Sequence, residues 1–312
     1  MSRALVFPGQ GAQSIGMGQA LAEAYPAAKA VFEEVDAALG EDLSGLIWGG
    51  DIETLTLTRN AQPALMATSM AALRALEAEG FDIAGVACVA GHSLGEYSAL
   101  AAAGALGIGD AARLLRTRGQ AMQQAVPVGV GAMAALLGLD LEGARAVAAE
   151  AAQGEVCEAA NDNDPAQVVV SGHKAAVERA LEIAKTKGAK RAILLPVSAP
   201  FHCALMAPAA EVMAEALAGV EIKAPKVPLI ANVVAGPVSD PTRIRELLVQ
   251  QVTGAVRWRE SVLAMSADGV TEIWEVGAGK ALSGMIRRID KSIECKAVGS
   301  PEEVRAALGL AG

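Results

Sequence analysis

The stretch Ala90-Gly91-His92-Ser93-Leu94-Gly95-Glu96-Tyr97 constrains this chain more than any other. It follows an apolar run, Val86 to Ala90, and precedes an alanine-rich run, Leu94 to Ala103. The first reads as a buried strand and the second as a helix. The G-x-S-x-G pattern between them demands a tight turn. Gly91 and Gly95 carry no Cβ, so strand and helix can approach closely while Ser93 is held on the turn with its Oγ exposed. An incidental serine in a glycine-rich connection has the same pattern, because a bare G-x-S-x-G is common. The flanking strand and helix favour a nucleophile elbow.

The rest of the chain supplies a sheet for that elbow. Leu5-Val6-Phe7 reads as a first buried strand, ended by Pro8-Gly9-Gln10-Gly11. A helical pattern runs from Met17 to Leu39 and breaks at Pro26. Gln62-Pro63 opens another helix to Glu79, with Pro63 at a first helical position. Gly109-Asp110 starts a helix through Arg113, Arg116 and Arg118. After Pro127-Val128-Gly129 the pattern changes. Ala132 to Leu137 is strand-like and Leu141 to Ala152 helix-like. Val156 to Ala160 and Gln167 to Val170 are short strands separated by a turn, Asn161 to Pro165. Lys174 to Lys187 is a helix and Arg191 to Leu195 a strand. The order βαββαβ is that of a ferredoxin-like unit. The class is therefore α/β: a larger domain over residues 1–127 and 197–312, and an inserted ferredoxin-like subdomain over 128–196. The larger part resumes with helix Ala204 to Ala218, strand Leu229 to Asn232 and helix Pro241 to Gln251. It closes with strand Glu272 to Val276, helix Lys280 to Ile289 and a helix from Pro301. Alternating strands and helices argue for a mostly parallel sheet covered on both faces. Ligands then sit beyond the carboxyl ends of its strands, where Ser93 lies.

Composition narrows the chemistry. A net charge of −9 argues against nucleic acid as a partner. The four cysteines, Cys88, Cys157, Cys203 and Cys295, have no C-x-x-C spacing, so reduced buried thiols are expected and a metal site is not. No apolar stretch reaches the roughly 18 residues that cross a bilayer. Met1-Ser2-Arg3-Ala4-Leu5 runs straight into a strand without a signal-peptide layout. A cytoplasmic protein is expected.

A serine hydroxyl needs a base, and histidine titrates in the right range. Three histidines are present. His92 would have to fold back across the tight turn. His173 lies where a strand gives way to a helix in the insert and reads as a surface or capping residue. His202, in a loop between insert and helix, is the favoured base, since such loops on a rigid scaffold carry catalytic groups. No carboxylate stands out to orient it; a dyad steadied by a main-chain carbonyl fits equally well.

Phe7-Pro8-Gly9-Gln10-Gly11-Ala12-Gln13, Gly91 to Tyr97, Arg118-Gly119-Gln120-Ala121-Met122-Gln123, Asn161 to Gly172, His202-Cys203-Ala204-Leu205-Met206 and Glu275-Val276-Gly277-Ala278-Gly279-Lys280 occur in this chain. Each is weak alone. As an ordered set they closely resemble the malonyl-CoA:acyl carrier protein transacylases of type II fatty-acid synthesis, from Phe7 to beyond Arg288. The resemblance implies an α/β-hydrolase-like core with the ferredoxin-like insert. It implies that Ser93 attacks the malonyl thioester in a ping-pong reaction, with His202 as base and the Gln251 main-chain carbonyl steadying His202. The N–H groups of Gln10 and Leu94 would form the oxyanion hole. Arg118 would hold the malonyl carboxylate with two parallel hydrogen bonds; from the residues alone Arg113, Arg116 and Arg118 cannot be told apart. Gln62, Met133 and Asn163 would line the acyl pocket, with Asn161 less firmly placed. Phe201 would crowd an α-methyl group there.

The implied substrates are malonyl-CoA and holo-acyl carrier protein, with no permanently bound cofactor and a monomeric enzyme. The carrier is acidic, as is this chain, so docking needs local basic patches. One comprises Lys185, Lys187, Lys190 and Arg191; the other comprises Lys280, Arg287, Arg288 and Lys291. A serine hydrolase would use the same elbow and His202, and a carrier-binding scaffold with a vestigial site is the non-enzymatic alternative. The Arg-bearing helix and the Pro-Gly-Gln-Gly loop favour the transferase.

Overall fold

A computed structural model describes residues 2–197 and 199–310. Its strands are β1 (Ser2–Phe7), β2 (Cys88–Gly91), β3 (Gly131–Leu137), β4 (Cys157–Asp164), β5 (Gln167–His173), β6 (Arg191–Leu194), β7 (Leu229–Ala231), β8 (Gly236–Val238), β9 (Val270–Val276) and β10 (Glu294–Val298). They form two sheets. The larger has the order β10-β9-β1-β2-β7-β8. It is parallel except for the β7–β8 pair. Such a sheet needs cover on both faces, and two apolar clusters provide it. One packs Phe7, Val89 and Trp274 against helices Thr58–Ala78 and Ile108–Ala125. The other packs Val6, Ala90 and Ile273 against Trp258 and Ile286.

The smaller sheet is antiparallel, ordered β4-β5-β3-β6. Helices Leu141–Ala152 and Lys174–Thr186 pack on it around a separate apolar cluster. This is the strand order that a βαββαβ unit adopts when each helix crosses back over the sheet, as the residue pattern predicts.

Two expectations are corrected. The helix bearing Pro63 begins at Thr58, so Pro63 lies inside it. Proline has no N–H to give the carbonyl one turn back, and that carbonyl, of Arg59, instead accepts from Arg116 Nη1 at 2.7 Å. The stretch Asn161 to Asp164 is not a turn but the end of β4. Its two carboxylates are satisfied in place. Asp162 takes a two-pronged bond from Arg259 (3.1 and 3.0 Å), and Asp164 accepts from Arg288 Nε at 2.7 Å. Bulges at Ala160 and Asn163 break the β4–β5 register, and bulges characteristically re-aim side chains beside functional sites. Val256, from the larger part, closes on this edge by exchanging main-chain bonds with Ala160 and Asp162. The larger part therefore joins the small sheet along β4 through a connecting segment, and the cleft between them is lined by Ser93. Among the described residues no helix is long and apolar enough to cross a membrane.

Candidate active site

The elbow is as tight as its glycines require. A Cβ on Gly91 would lie 1.9 Å from the main chain of Gly95, and one on Gly95 would lie 2.3 Å from the Phe7 carbonyl oxygen. The helix that follows, Gly95–Ala102, is buried along its whole length, which its small side chains permit. Ser93 has φ 54°, a left-handed backbone that non-glycine residues rarely adopt and that needs support. Its N–H donates to Asn232 Oδ1 at 2.8 Å, while Asn232 Nδ2 donates to the Gly91 carbonyl at 2.7 Å. One amide thus staples both sides of the turn. Asn232 read only as the last residue of a strand, and nothing in the sequence signals this role.

His202 also sits at positive φ, 57°, and is brought to Ser93 by the loop between β6 and the turn Ala204–Met206. Its Nε2 lies 2.7 Å from Ser93 Oγ. On the other side Nδ1 faces two carbonyl oxygens, Gln251 at 2.9 Å and Gly254 at 3.1 Å. Carbonyls only accept, so Nδ1 carries the proton and Nε2 is left to accept from the serine hydroxyl. Burial, helped by the positive charge of Arg118 and opposed by the Gln251 carbonyl, pushes the ring's pKa down to about 3. The imidazole is neutral at neutral pH, as a base must be.

Three arginines of the helix Ile108–Ala125 are separated by their partners. Arg113 is exposed and pairs with Asp110. Arg116 is spent on the Arg59 carbonyl, Asn60 and Glu41. Arg118 is 1% exposed and points at the serine. Its Nη2 lies 3.2 Å from Ser93 Oγ and 2.7 Å from Gln251 Oε1, and its Nη1 is 2.8 Å from Gln62 Oε1. The Tyr97 ring lies beneath it, 5.8 Å from the guanidinium carbon. Among the described residues no carboxylate pairs with it directly. The carboxyl of Glu96, 1% exposed, lies beyond Gln251. Burial, against the pull of Gln251, Asn232 and Arg118, leaves the Glu96 carboxyl pushed up to about 7.

Gln62 does more than line a pocket. Its Nε2 donates to Thr58 Oγ1 (2.9 Å), which donates to Gln10 Oε1 (2.9 Å). A chain of polar side chains thereby ties the Pro-Gly-Gln-Gly loop to Arg118. Among the described residues, the N–H groups of Gln10 and Leu94 have no intramolecular acceptor, and both residues border the cleft. The cleft holds about 510 Å³, with Ser93, Arg118 and His202 on one side and Met133, Asn161, Asn163 and Phe201 among its other walls. His92 turns away from Ser93: its Nε2 meets Asn163 Oδ1 at 2.8 Å, joining the elbow to β4. His173 accepts the Val156 N–H on Nδ1 at 2.9 Å, within the small sheet.

The two basic clusters divide unevenly. Lys185 pairs with Glu182, Lys187 with Glu150 and Lys280 with Glu303. Arg288 is tied to Asp164, which is 1% exposed. Lys190, Arg191, Arg287 and Lys291 are exposed and without an ion pair among the described residues.

A hydroxyl at the edge of the cleft, a neutral imidazole and a guanidinium that has no carboxylate partner among the described residues suit nucleophilic acyl chemistry on an anionic substrate. Comparison with known proteins agrees. The acyl transferase domain model matches residues 4–298. The malonyl CoA-acyl carrier protein transacylase of Bacillus subtilis is 48% identical over 308 residues, 98% of this chain and 96% of that protein. The crystal structure of an acyl-carrier-protein S-malonyltransferase from Bartonella henselae superposes with a TM-score of 0.97 at 57% identity, covering 99% of both chains. A malonyl-transacylase solved in complex with its type II PKS acyl-carrier protein superposes at 0.96 with 42% identity, again over 99% of both chains. This chain belongs to the acyl transferase family and, within it, to the malonyl CoA-acyl carrier protein transacylases.

Proposed function

We propose that this chain transfers a malonyl group from malonyl-CoA to the phosphopantetheine thiol of acyl carrier protein, through a malonyl ester on Ser93, and so supplies fatty-acid chain elongation. The observation that carries the reading is Arg118: a buried cation 3.2 Å from Ser93 Oγ that has no carboxylate partner among the described residues. A malonyl thioester brings that partner; an acetyl thioester leaves the charge unpaired.

In this reading Ser93 Oγ attacks the thioester carbonyl while His202 Nε2 takes its proton. The imidazolium so formed is steadied by the Gln251 carbonyl, and the oxyanion by the N–H groups of Gln10 and Leu94. Collapse of the intermediate expels CoA, whose sulfur takes the proton back from His202. The carrier thiol then enters, gives its proton to His202 and attacks the ester carbonyl, and Ser93 Oγ leaves, taking that proton back. Gln62 fixes the guanidinium, and Met133, Asn163 and Phe201 shape the acyl pocket. Phe201 would crowd an α-methyl group.

Of the two clusters, Lys190, Arg191, Arg287 and Lys291 are the cations left for the acidic carrier among the described residues, and a relative solved in complex with its acyl-carrier protein supports a carrier as partner. Arg288 is already committed to Asp164. We take residues 128–196 as a subdomain, in keeping with their own sheet and apolar cluster. The enzyme works as a cytoplasmic monomer on diffusible substrates.

Mixing the protein with malonyl-CoA and mapping the adduct by mass spectrometry tests the reading. A malonyl ester on Ser93, discharged by carrier thiol faster than by water, is expected. An acetyl adduct forming equally well, or discharge mainly to water, would overturn it in favour of a hydrolase.

A further inference from the structure

We propose that Glu96 is a positioning residue: through the side-chain amide of Gln251 it sets the guanidinium of Arg118 for the malonyl carboxylate. The inference rests on the malonyl reading above and deepens it.

Gln251 is fully buried, and its amide bridges two groups of opposite need. Oε1 accepts from Arg118 Nη2 at 2.7 Å; Nε2 donates to the Ser93 carbonyl at 3.0 Å and to Glu96 Oε2. A guanidinium has only donors, and Glu96 in its ionised form, which the Gln251 donor and the Arg118 charge favour against burial, has only acceptors. Turning the amide over would set N–H against N–H and oxygen against oxygen among three buried side chains. Glu96, together with the Ser93 carbonyl, therefore selects the orientation that presents an oxygen to Arg118. The carboxyl rides on the first turn of the helix Gly95–Ala102, where the helix N-terminus favours negative charge and where Ser93 itself is attached. Nucleophile, amide and guanidinium are held by one element.

The interposed amide also explains why Arg118 stays available. A carboxylate bonded directly to the guanidinium would have to be displaced by every incoming substrate. Held one amide away, Glu96 orients Arg118 and leaves a donor edge open. The Ser93–His202 contact does not run through Glu96: His202 is held by the main-chain carbonyls of Gln251 and Gly254.

The test compares kcat/KM for Ser93 acylation by malonyl-CoA and by acetyl-CoA in wild type, Glu96→Ala, Glu96→Gln and Gln251→Met, with thermal unfolding followed in parallel. Loss of the acceptor in Glu96→Ala is expected to lower the malonyl-to-acetyl ratio about tenfold or more, since a buried donor is left unpaired. Glu96→Gln keeps an oxygen for Gln251 Nε2 and is expected to hold the ratio near wild type. Gln251→Met retains the carbonyl that holds His202 and should lower the ratio like Glu96→Ala, which keeps the test open if Glu96→Ala does not fold. Equal losses for both thioesters, no loss for either, or a Glu96→Gln ratio as low as that of Glu96→Ala would overturn the proposal. A wild-type enzyme without preference for malonyl would instead defeat the underlying reading, whatever the variants do.

Discussion

The two walls of the cleft are built on different principles. The wall that carries Ser93, His202 and Arg118 is held by short bonds between buried groups: Asn232 across the elbow, two carbonyls on His202, Gln62 and Gln251 on Arg118. Two of its residues sit at positive φ, and its glycines leave no room for a methyl group. The opposite wall, on the small sheet, contributes Met133, Asn161 and Asn163 and is tethered through Asp162 and Asp164 to arginines that are themselves partly exposed. One wall is set to fractions of an ångström, as bond-making requires. The other shapes and covers. Substitutions on the first should therefore change chemistry and selectivity, and those on the second should change closure and stability.

Arg118→Ala gives the largest expected effect and tests the first half of that contrast. In the malonyl reading it removes the charged partner of the substrate carboxylate within a buried site. Malonyl transfer should lose about 2–5 kcal/mol of transition-state stabilisation, and acetyl transfer should gain relative to it. Parallel kcat/KM measurements with the two CoA esters check this. If malonyl and acetyl fall together, Arg118 is a structural cation and the selective wall lies elsewhere.

How far each wall was legible in the sequence follows from the same contrast. The elbow, the first strand and the βαββαβ order obey local rules of period, glycine and turn, and they stand where the residues place them. His202 emerged by elimination among three histidines. The choice of Arg118 over Arg113 and Arg116 needed a family resemblance, because all three lie on one helix and only distant partners separate them. Asn232 and the side chain of Gln251 act across more than a hundred residues of chain, at |i−j| of 139 and 158, and carry no local mark. Glu96 did carry one: the sole charged residue of an alanine-rich run from Leu94 to Ala103 requires a partner once that run is buried. Asn161 to Asp164 was misread because Asn, Asp and Pro are turn formers; here Arg259 and Arg288, far along the chain, satisfy the carboxylates and let the segment stay a strand. β10 was missed for a related reason, as an edge strand with mixed polar residues.

The second half of the contrast is tested at Asp162 and Asp164. Asp162→Ala leaves Arg259, whose side chain is 27% exposed, without its two-pronged partner. A loss of about 1–3 kcal/mol in unfolding free energy is expected. Asp164→Ala frees Arg288, which at 52% exposure can be solvated, so the loss should stay below about 1 kcal/mol. Denaturant titration ranks the two. A larger loss at Asp164 would mean that the helix Ala281–Ile289, and not Val256 and Arg259, holds the small sheet in place.

The smallest effect is expected at the rim, where neither wall is strained. Lys190 and Arg191 stand unpaired at the entrance to β6, whereas Lys185 and Lys187 are already offset by Glu182 and Glu150. An acidic carrier should therefore be drawn by the first pair and barely by the second. Reversing Lys190 and Arg191 to glutamate should raise KM for the carrier about two- to fivefold, the scale of exposed charge pairs, and the difference should shrink with added salt. Reversing Lys185 and Lys187 serves as the comparison, since it removes charges that a neighbouring carboxylate already offsets. Equal KM changes in the two double variants would show that the carrier responds to the net charge of the small subdomain and not to these unpaired cations. Docking would then fall to Arg287 and Lys291 on the other side of the cleft.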